Sequence, residues 1–472
     1  MIYLWLVGTV YALGIATAIT ALFRVRTSQG AIAWVISLVT MPVLAVPLFW
    51  VLGRRRFSGY VLARRIHLRE MAPEAGVVAA RYTAQGLVDT PQGREDRVLV
   101  RLARLPFTVG NEADLLVDGN ETFRSILGGI DRAKDYILFQ FYILRDDRLG
   151  RTIAERLIAR AKAGVRVYVL YDEVGSYALP KSVPADLARQ GVTALPFNSS
   201  RGRANRFQIN FRNHRKLVVI DGREAWAGGL NVGEEYLGHG REFGHWRDTH
   251  VHVKGPAVST MQIPFVEDWH WASGGKPLAL RWDTEAASRP GRRILCVPTG
   301  PADEEETCSL FFTDLIGHAH ERLWIASAYF VPDDAVMSAL TLAAMRGVDV
   351  RILLPARADH RLVWLARFAY VEACERAGIK LFTYTKGFLH QKVVLVDDRL
   401  ATIGTPNLDN RSLRLNFELT LLFDDADFAR RTAEMLEKDF EGATPLTHAD
   451  VVARGRIFAL GVRIANLFAP VL

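Results

Sequence analysis

Cysteine is scarce in this chain, with only Cys296, Cys308 and Cys374 among 472 residues. They form no CxxC pair and their number is odd. A disulfide framework and a thiolate metal site are therefore excluded, and the expectation is buried free thiols in a reducing compartment. Charge is absent from two stretches near the start: residues 2–23 give 22 positions without a charged side chain and residues 31–53 give 23. Each exceeds the ~20 residues needed to cross the hydrocarbon core of a bilayer. No Lys or Arg precedes the first run. That lack, the run's length and the second run behind it fit a cleaved signal peptide poorly. The expectation is a transmembrane hairpin, spans 2–23 and 31–53, with Pro42 and Pro47 kinking the second helix.

What the chain has in excess is positive charge, 59 Lys and Arg against 51 Asp and Glu, for a net charge of +8. This suits an anionic partner (nucleic acid, an acidic membrane surface or a phosphate substrate) without choosing among them. The loop between the apolar runs carries Arg24 and Arg26. After the second run come Arg54, Arg55, Arg56, Arg64, Arg65 and Arg69. The larger cation excess lies on the side of the C-terminal bulk, which is therefore expected in the cytoplasm. Arg54 to Arg56 read as a topology signal and a contact for lipid headgroups.

Residues 57–108 are mixed, basic and weakly periodic, and are expected to lead from the membrane into the globular part. From about residue 109 the pattern alternates: helix 125–133, strand 136–144, helix 152–163, strand 165–171. This predicts an α/β architecture. The second half repeats the rhythm at 322–331, 335–345 and 348–354. Then NHRKLVVID, from Asn213, recurs as LHQKVVLVD, from Leu389. His214 and His390 stand 176 residues apart, and so do Lys216 and Lys392, Asp221 and Asp397, Gly228 and Gly404, and Asn231 and Asn407. An internal duplication giving two pseudo-twofold lobes accounts for this common offset. A Gly- and Pro-punctuated stretch, 272–293, reads as the link between them. The expected units are 1–56, 57–108, 109–285 and 286–472.

The repeated segment carries chemistry. Residues 217–220 are apolar and β-branched, so His214 and Lys216 are expected on one face of a strand, about 7 Å apart. Asp221-Gly222 reads as a tight turn into a returning strand. Two such sets suit a phosphodiester, whose reaction eases when split into two displacements through a covalent intermediate. One imidazole attacks phosphorus; the other protonates the leaving alkoxide and then deprotonates the incoming alcohol. The lysines and the amides of Asn231 and Asn407 offer donors to the phosphate, so no metal or other cofactor is required. Asp248 and Glu418, 34 and 28 residues after their histidines, are candidates to orient the imidazoles.

HxK(x)4D twice, each followed by glycine and asparagine, resembles the paired HKD motifs of the phospholipase D superfamily. The resemblance implies two lobes, each a mixed sheet flanked by helices, meeting at one active site. It implies His214 as nucleophile and His390 as general acid, Glu418 orienting His214, and Asp248 orienting His390. Asp221 and Asp397 complete the motifs and are expected to be structural. Thr405 departs from the family's usual serine, and Gly229 stands there in the first copy; Thr405 is expected to orient or to bind phosphate. Within the superfamily the chain is similar to bacterial cardiolipin synthases over nearly its whole length, in LFWVLGRRRFSGY, FQFYILRDDRLG, GGLNVGEEY, AYFVPDD and NLDNRSLRLNFE. That likeness implies transfer of a phosphatidyl group from one phosphatidylglycerol to another at the bacterial inner membrane, with lipids and not nucleic acid as partners. The alternatives are a hydrolase of the same superfamily and synthesis with phosphatidylethanolamine as co-substrate.

Other features keep plainer readings. His239, His245, His250 and His252 cluster, and His250 shares a strand face with His252, yet no second group of acids or cysteines supports a metal site. Tyr142 and Tyr329, at matching places in the two strands, either line the pocket or belong to the core. Residues 456–472 show helical apolar spacing with Arg456 and Arg463 between, and either lie on a membrane or pack on the second lobe.

Overall fold

A computed structural model describes residues 1–25, 28–53, 57–91, 93–197, 210–240 and 243–472. Arg26 and the cluster Arg54, Arg55 and Arg56 lie outside the described residues.

The apolar, fully buried strand Tyr136–Phe141 is the hub of the first lobe. Arg166–Asp172 runs parallel beside it and Val192–Phe197 parallel beside that. Parallel neighbours need crossovers, supplied by the helices Arg148–Lys162 and Ser182–Arg189. On the other side Leu217–Ile220 is antiparallel, followed by Glu224–Gly228, Thr249–Lys254 and Phe107–Val117. The second lobe repeats this order with Lys380–Tyr384, Asp349–Pro355, Arg322–Ser327, Lys392–Val396, Leu400–Gly404, Asn416–Asp424 and Arg292–Thr299. Ala443–Leu446 extends its far edge. Arg292–Thr299 also pairs with Phe107–Val117, so the two sheets join along one seam.

The seam buries a common core. Leu138, Leu217 and Phe265 from the first lobe cluster with Leu395, Ile403 and Leu421 from the second. Each large apolar side chain taken from water contributes about 1.5–3 kcal/mol, so the lobes stabilise each other. The helix Ala257–Ser273 is buried along almost its entire length. All three cysteines are free and buried.

The N-terminal segment departs from expectation. Ile2–Arg24 is, among the described residues, the one helix long and apolar enough to cross a membrane. The second apolar run, expected as one span, is two helices, Ser28–Thr40 and Pro42–Leu52, of 13 and 11 residues. Pro42 cannot donate a backbone N–H, and its ring drives Met41 out of the helical region, to φ −133° and ψ 56°. Both short helices pack on the first. A Cβ on Gly14 would lie 2.5 Å from the Leu38 carbonyl oxygen and 2.8 Å from Pro42 Cβ, so glycine permits the approach.

Residues 57–108 are the segment expected to lead from the membrane into the globular part. They open with a 27-residue helix, Ser58–Ala84. Polar contacts fix it where apolar periodicity does not: Tyr60 Oη donates to Asp268 at 2.7 Å, and Arg64 reaches Glu267 at 2.9 Å and Asp303 at 3.0 Å. Phe57, just ahead of it, stacks on Phe211 with ring centroids 5.2 Å apart. Between the lobes, residues 274–291 hold no regular secondary structure.

Candidate active site

Two short parallel pairings place the histidines. Arg212–Asn213 pairs with Asn416 and Phe417 of the other lobe, and the His214 N–H donates to the Phe417 carbonyl at 2.9 Å. Phe388–Leu389 pairs with Trp246–Arg247, and the His390 N–H donates to the Arg247 carbonyl at 2.8 Å. The strand expected to carry His214 and Lys216 begins only at Leu217; its counterpart begins at Lys392. The histidines therefore sit in the segments leading into those strands, because their backbone groups are engaged by the opposite lobe.

The same crossing supplies the carboxylates. His214 Nδ1 lies 3.0 and 2.9 Å from the two oxygens of Glu418, and His390 Nδ1 lies 2.7 Å from Asp248 Oδ2. These are the partnerships that the family resemblance implies. With Nδ1–H donated to a carboxylate, each ring presents Nε2 as its free nitrogen. Thr405 donates its hydroxyl to Glu418 Oε2 at 2.5 Å and accepts the Leu419 N–H at 2.9 Å. Its proton thus goes to a carboxylate. Gly229, its counterpart, contributes space: a Cβ there would lie 2.0 Å from Asp248 Oδ1. Asn231 is held at both ends of its amide, accepting from the Ile143 N–H at 3.2 Å and donating to Tyr236 Oη at 3.2 Å. Asn407 is buried, and its Oδ1 has no hydrogen-bond partner among the described residues.

Both lysines are buried beside their histidines. Lys216 Nζ donates to the His214 carbonyl at 2.7 Å, and Lys392 Nζ to that of His390 at 2.5 Å. Burial lowers Lys216 to about 7 and Lys392 to about 8, against the pull of Glu418 and Asp248. Lys392 further lowers Lys216, which puts the two motif sets within reach of one another's charge. Burial takes His214 down to about 4, against the opposing pull of Glu418, and lowers His390, with Lys392 adding to the effect. Burial favours a neutral Glu418, but His214 and Lys216 outweigh it and the carboxyl titrates below its ordinary value. At Asp248, Lys392 and His390 outweigh burial in the same way. At neutral pH the pocket therefore holds two neutral imidazoles and two ionised carboxylates.

The remaining candidates are distributed as follows. The Tyr142 ring stands edge-on to His214 at 4.9 Å, so it walls the pocket, whereas Tyr329 donates its hydroxyl to Asp359. Asp221 and Asp397 lie at the far ends of their strands with φ 54° and 51°. Asp221 accepts the amides of Lys134, Asp135 and Tyr136, and Asp397 those of His320, Glu321 and Arg322. Both tie the turn to the neighbouring strand and neither is aimed at the pocket. The four clustered histidines diverge: His239 is exposed, His245 bonds Asp118, His252 bonds Glu224, and His250 accepts the Leu230 N–H. Among the described residues no group of three metal-ligating side chains forms.

The sequence reading missed Arg215 and Asp268. Arg215, buried between the motif His and Lys, donates to Asp268 Oδ2 at 2.8 Å and to the Glu418 carbonyl at 3.1 Å. Asp268 also accepts from Gln140 at 2.8 Å and Asn213 at 2.7 Å. This network fixes the backbone on both sides of the His214–Glu418 pair. A usable signal was present, since an arginine at an inward position demands a buried acid.

Comparisons with known proteins accord with this geometry. The family model described as cardiolipin synthase, PLD-like domain, matches residues 126–268 and 312–441, once in each half. Cardiolipin synthase A of Pseudomonas putida is 45% identical over 473 residues, covering 99% of this chain and 98% of that one. Cardiolipin synthase A of Pseudomonas aeruginosa is 47% identical over 477 residues, covering 99% and 96%. The crystal structure of a phosphatidylserine synthase from Haemophilus influenzae aligns with a TM-score of 0.60 at 16% identity, over 80% of this chain and 100% of that one, which shows a shared fold. With both halves matched and relatives aligned end to end, this chain belongs to the cardiolipin synthase family of phospholipase D-like enzymes.

Proposed function

We propose that this chain is a cardiolipin synthase that transfers a phosphatidyl group between two phosphatidylglycerol molecules. The observation that carries the reading is the pair of crossed contacts, His214 to Glu418 and His390 to Asp248, each leaving an Nε2 free. His214 Nε2 attacks the phosphorus of the first phosphatidylglycerol, and the bond from phosphorus to the glycerol oxygen breaks. His390, protonated on Nε2, gives its proton to that oxygen and glycerol leaves. A terminal hydroxyl of the second phosphatidylglycerol then passes its proton to His390 and attacks the phosphohistidine, releasing cardiolipin and regenerating His214. The substrate's negative charge favours the protonated forms of Lys216, Lys392 and His390, which burial alone disfavours. Asn231 is engaged at both ends of its amide, which supports Asn407 as the asparagine that meets the phosphate. No step calls on a metal.

The proposal includes the setting. The apolar helices anchor the enzyme in a bacterial inner membrane with the lobes, taken as 109–285 and 286–472, in the cytoplasm. Labelling single engineered cysteines on the lobes from outside the cell tests this, and a reactive lobe refutes it. For the reaction, the purified protein is incubated with phosphatidylglycerol alone in mixed micelles with a chelator, and the products are read by mass spectrometry. Equal amounts of cardiolipin and glycerol are expected. Phosphatidic acid in place of cardiolipin makes water the acceptor and the enzyme a hydrolase. Turnover only after phosphatidylethanolamine is added makes that lipid the co-substrate.

A further inference from the structure

The helix Gly455–Asn466 seats one apolar stripe on the second lobe. Phe458 meets Phe368 with ring centroids 5.2 Å apart, Val462 joins the lobe's core, and Ala465 packs with Ala366. Docking needs no more than that. The helix nevertheless carries a second stripe: Ile457, Leu460, Ile464 and Leu467 recur at intervals of three and four and are 89%, 60%, 50% and 77% exposed. Arg456 and Arg463 flank the stripe, are exposed, and have no ion-pair partner among the described residues. No acidic residue occurs between 451 and 472. An outward apolar ridge bordered by unpaired cations is the pattern of a helix lying at an anionic lipid interface. A second protein copy would have to meet those cations with acids that this segment lacks.

The ridge also has a meaningful address. The Arg411 N–H donates to the Leu472 carbonyl at 2.7 Å, and its guanidinium reaches the Val471 carbonyl at 3.4 Å. That guanidinium also donates to Asn210 Oδ1 at 3.0 Å, in the segment that leads into His214. The segment that follows the ridge is therefore tied, through Arg411, to the stretch of chain that leads into His214.

We propose that the ridge of Ile457, Leu460, Ile464 and Leu467 is a membrane-docking surface. It seats on anionic bilayer and holds the mouth of the histidine pocket against the lipid plane. The proposal rests on the reading that both substrates are bilayer phospholipids, but its first test does not. Full-length protein goes into nanodiscs of phosphatidylglycerol and phosphatidylethanolamine, and separately of phosphatidylcholine. An environment-sensitive fluorophore is placed on Leu460→Cys, Ile464→Cys or, as control, Glu437→Cys on an exposed face of another helix. The native cysteines are buried and are left in place. Spin-labelled lipid is expected to quench the first two at least twofold more than the control, and more strongly in anionic discs. Equal quenching at all three positions overturns the proposal, and so does quenching that needs two proteins per disc. The second test pairs Leu460→Glu with Ile464→Glu. Turnover of long-chain phosphatidylglycerol in discs should fall about tenfold while monomeric dihexanoyl phosphatidylglycerol is turned over as before; an equal fall on both overturns it. If the parent enzyme made no cardiolipin, the functional reading would fail while the quenching result stood.

Discussion

Glu418→Gln removes a charge from the site while changing almost nothing in shape. Every neighbour of that carboxylate is a donor: His214 Nδ1 at 2.9 Å, Thr405 Oγ1 at 2.5 Å and Asn416 Nδ2 at 3.2 Å. A carboxamide has one oxygen to answer them, and its NH2 must face one of the three. If it faces Nδ1, the imidazole keeps its proton on Nε2 and loses the lone pair with which, in the proposed mechanism, it attacks phosphorus. If it faces Thr405 or Asn416, a buried donor is orphaned. A hydrogen bond to a charged acceptor contributes about 1.5–3 kcal/mol, and an orphaned buried group costs about 1–3 kcal/mol. Taking about 4 kcal/mol for the transition state gives a rate loss of about 10³-fold. The analogous Asp→Asn change in a serine protease, which also imposes the wrong tautomer, costs about 10⁴-fold.

The assay is the initial rate of cardiolipin formation from phosphatidylglycerol, with thermal unfolding measured in parallel. The loss should fall on kcat with KM little changed, since Glu418 faces His214 and not the pocket. The acid limb of the rate profile should not move upward, because Glu418 raises a His214 pKa that burial has taken to about 4, and losing it lowers that value further. A Glu418→Gln enzyme keeping more than a tenth of parental kcat, in a preparation where His214→Ala is dead, would refute the reasoning.

Three further outcomes are expected. Gly229→Ala would put a methyl group 2.0 Å from Asp248 Oδ1, so the carboxylate must leave His390; activity should fall at least 100-fold in cardiolipin assays while circular dichroism stays parental. Asp397→Ala leaves the half-buried Arg322 N–H without its acceptor, hands the exposed His320 and Glu321 amides to water, and puts alanine at φ 51°; it should cost about 1–3 kcal/mol in urea unfolding, with kcat of the folded fraction within a few fold of parental. Competitive inhibition by tungstate should weaken up to about tenfold per pH unit between about 7 and 8 and up to about a hundredfold per unit above about 8, because the anion needs the cationic forms of both Lys216 and Lys392, whose pKa values are lowered to about 7 and about 8. The same depression means that the unfolded chain binds more protons between about 7 and the ordinary lysine value. Stability without the anion should therefore rise with pH through that window, and a flat inhibition profile would show that the lysines are not the anion's partners.

The histidines, lysines and turn aspartates were legible because each set falls within nine residues of chain and recurs at one offset, so local pattern and duplication reinforce each other. The carboxylate pairing was not legible from spacing. Glu418 reaches His214 across 204 residues because Asn416 and Phe417 pair with Arg212–Asn213, a contact that no local signal encodes. Only the family resemblance implied it. Pro42 was visible, yet its effect was read as a kink within one helix; the steric demand on Met41 ends the helix instead. The helix Ser58–Ala84 escaped because its anchors are polar and distant, Tyr60 to Asp268 and Arg64 to Asp303, and an apolar period is the signal that a sequence offers first. Arg215 was hidden inside the motif, where the eye goes to the residues on either side.

The crossing of the lobes also bears on why two copies are needed for one reaction. Each histidine takes both its backbone acceptor and its carboxylate from the opposite lobe, so a lone lobe would hold an unoriented imidazole beside a buried lysine. The pairings that align them are only two residues long and hold because the sheets share a core behind them. Duplication alone would give two equivalent histidines, whereas the proposed transfer needs one that attacks and one that carries protons. The lobes have diverged at the right place for that. Glu418 is braced by the Thr405 hydroxyl and meets His214 with both oxygens. Asp248 occupies room left by Gly229 and meets His390 with one oxygen, while Lys392 Nζ stands 3.0 Å from the same ring nitrogen. A ring held by two oxygens is kept in one tautomer, as a nucleophile requires. A ring shared between a carboxylate and an ammonium has its proton affinity set by both, so a substrate anion that draws the lysine's charge toward itself shifts that affinity upward when a leaving group needs the proton.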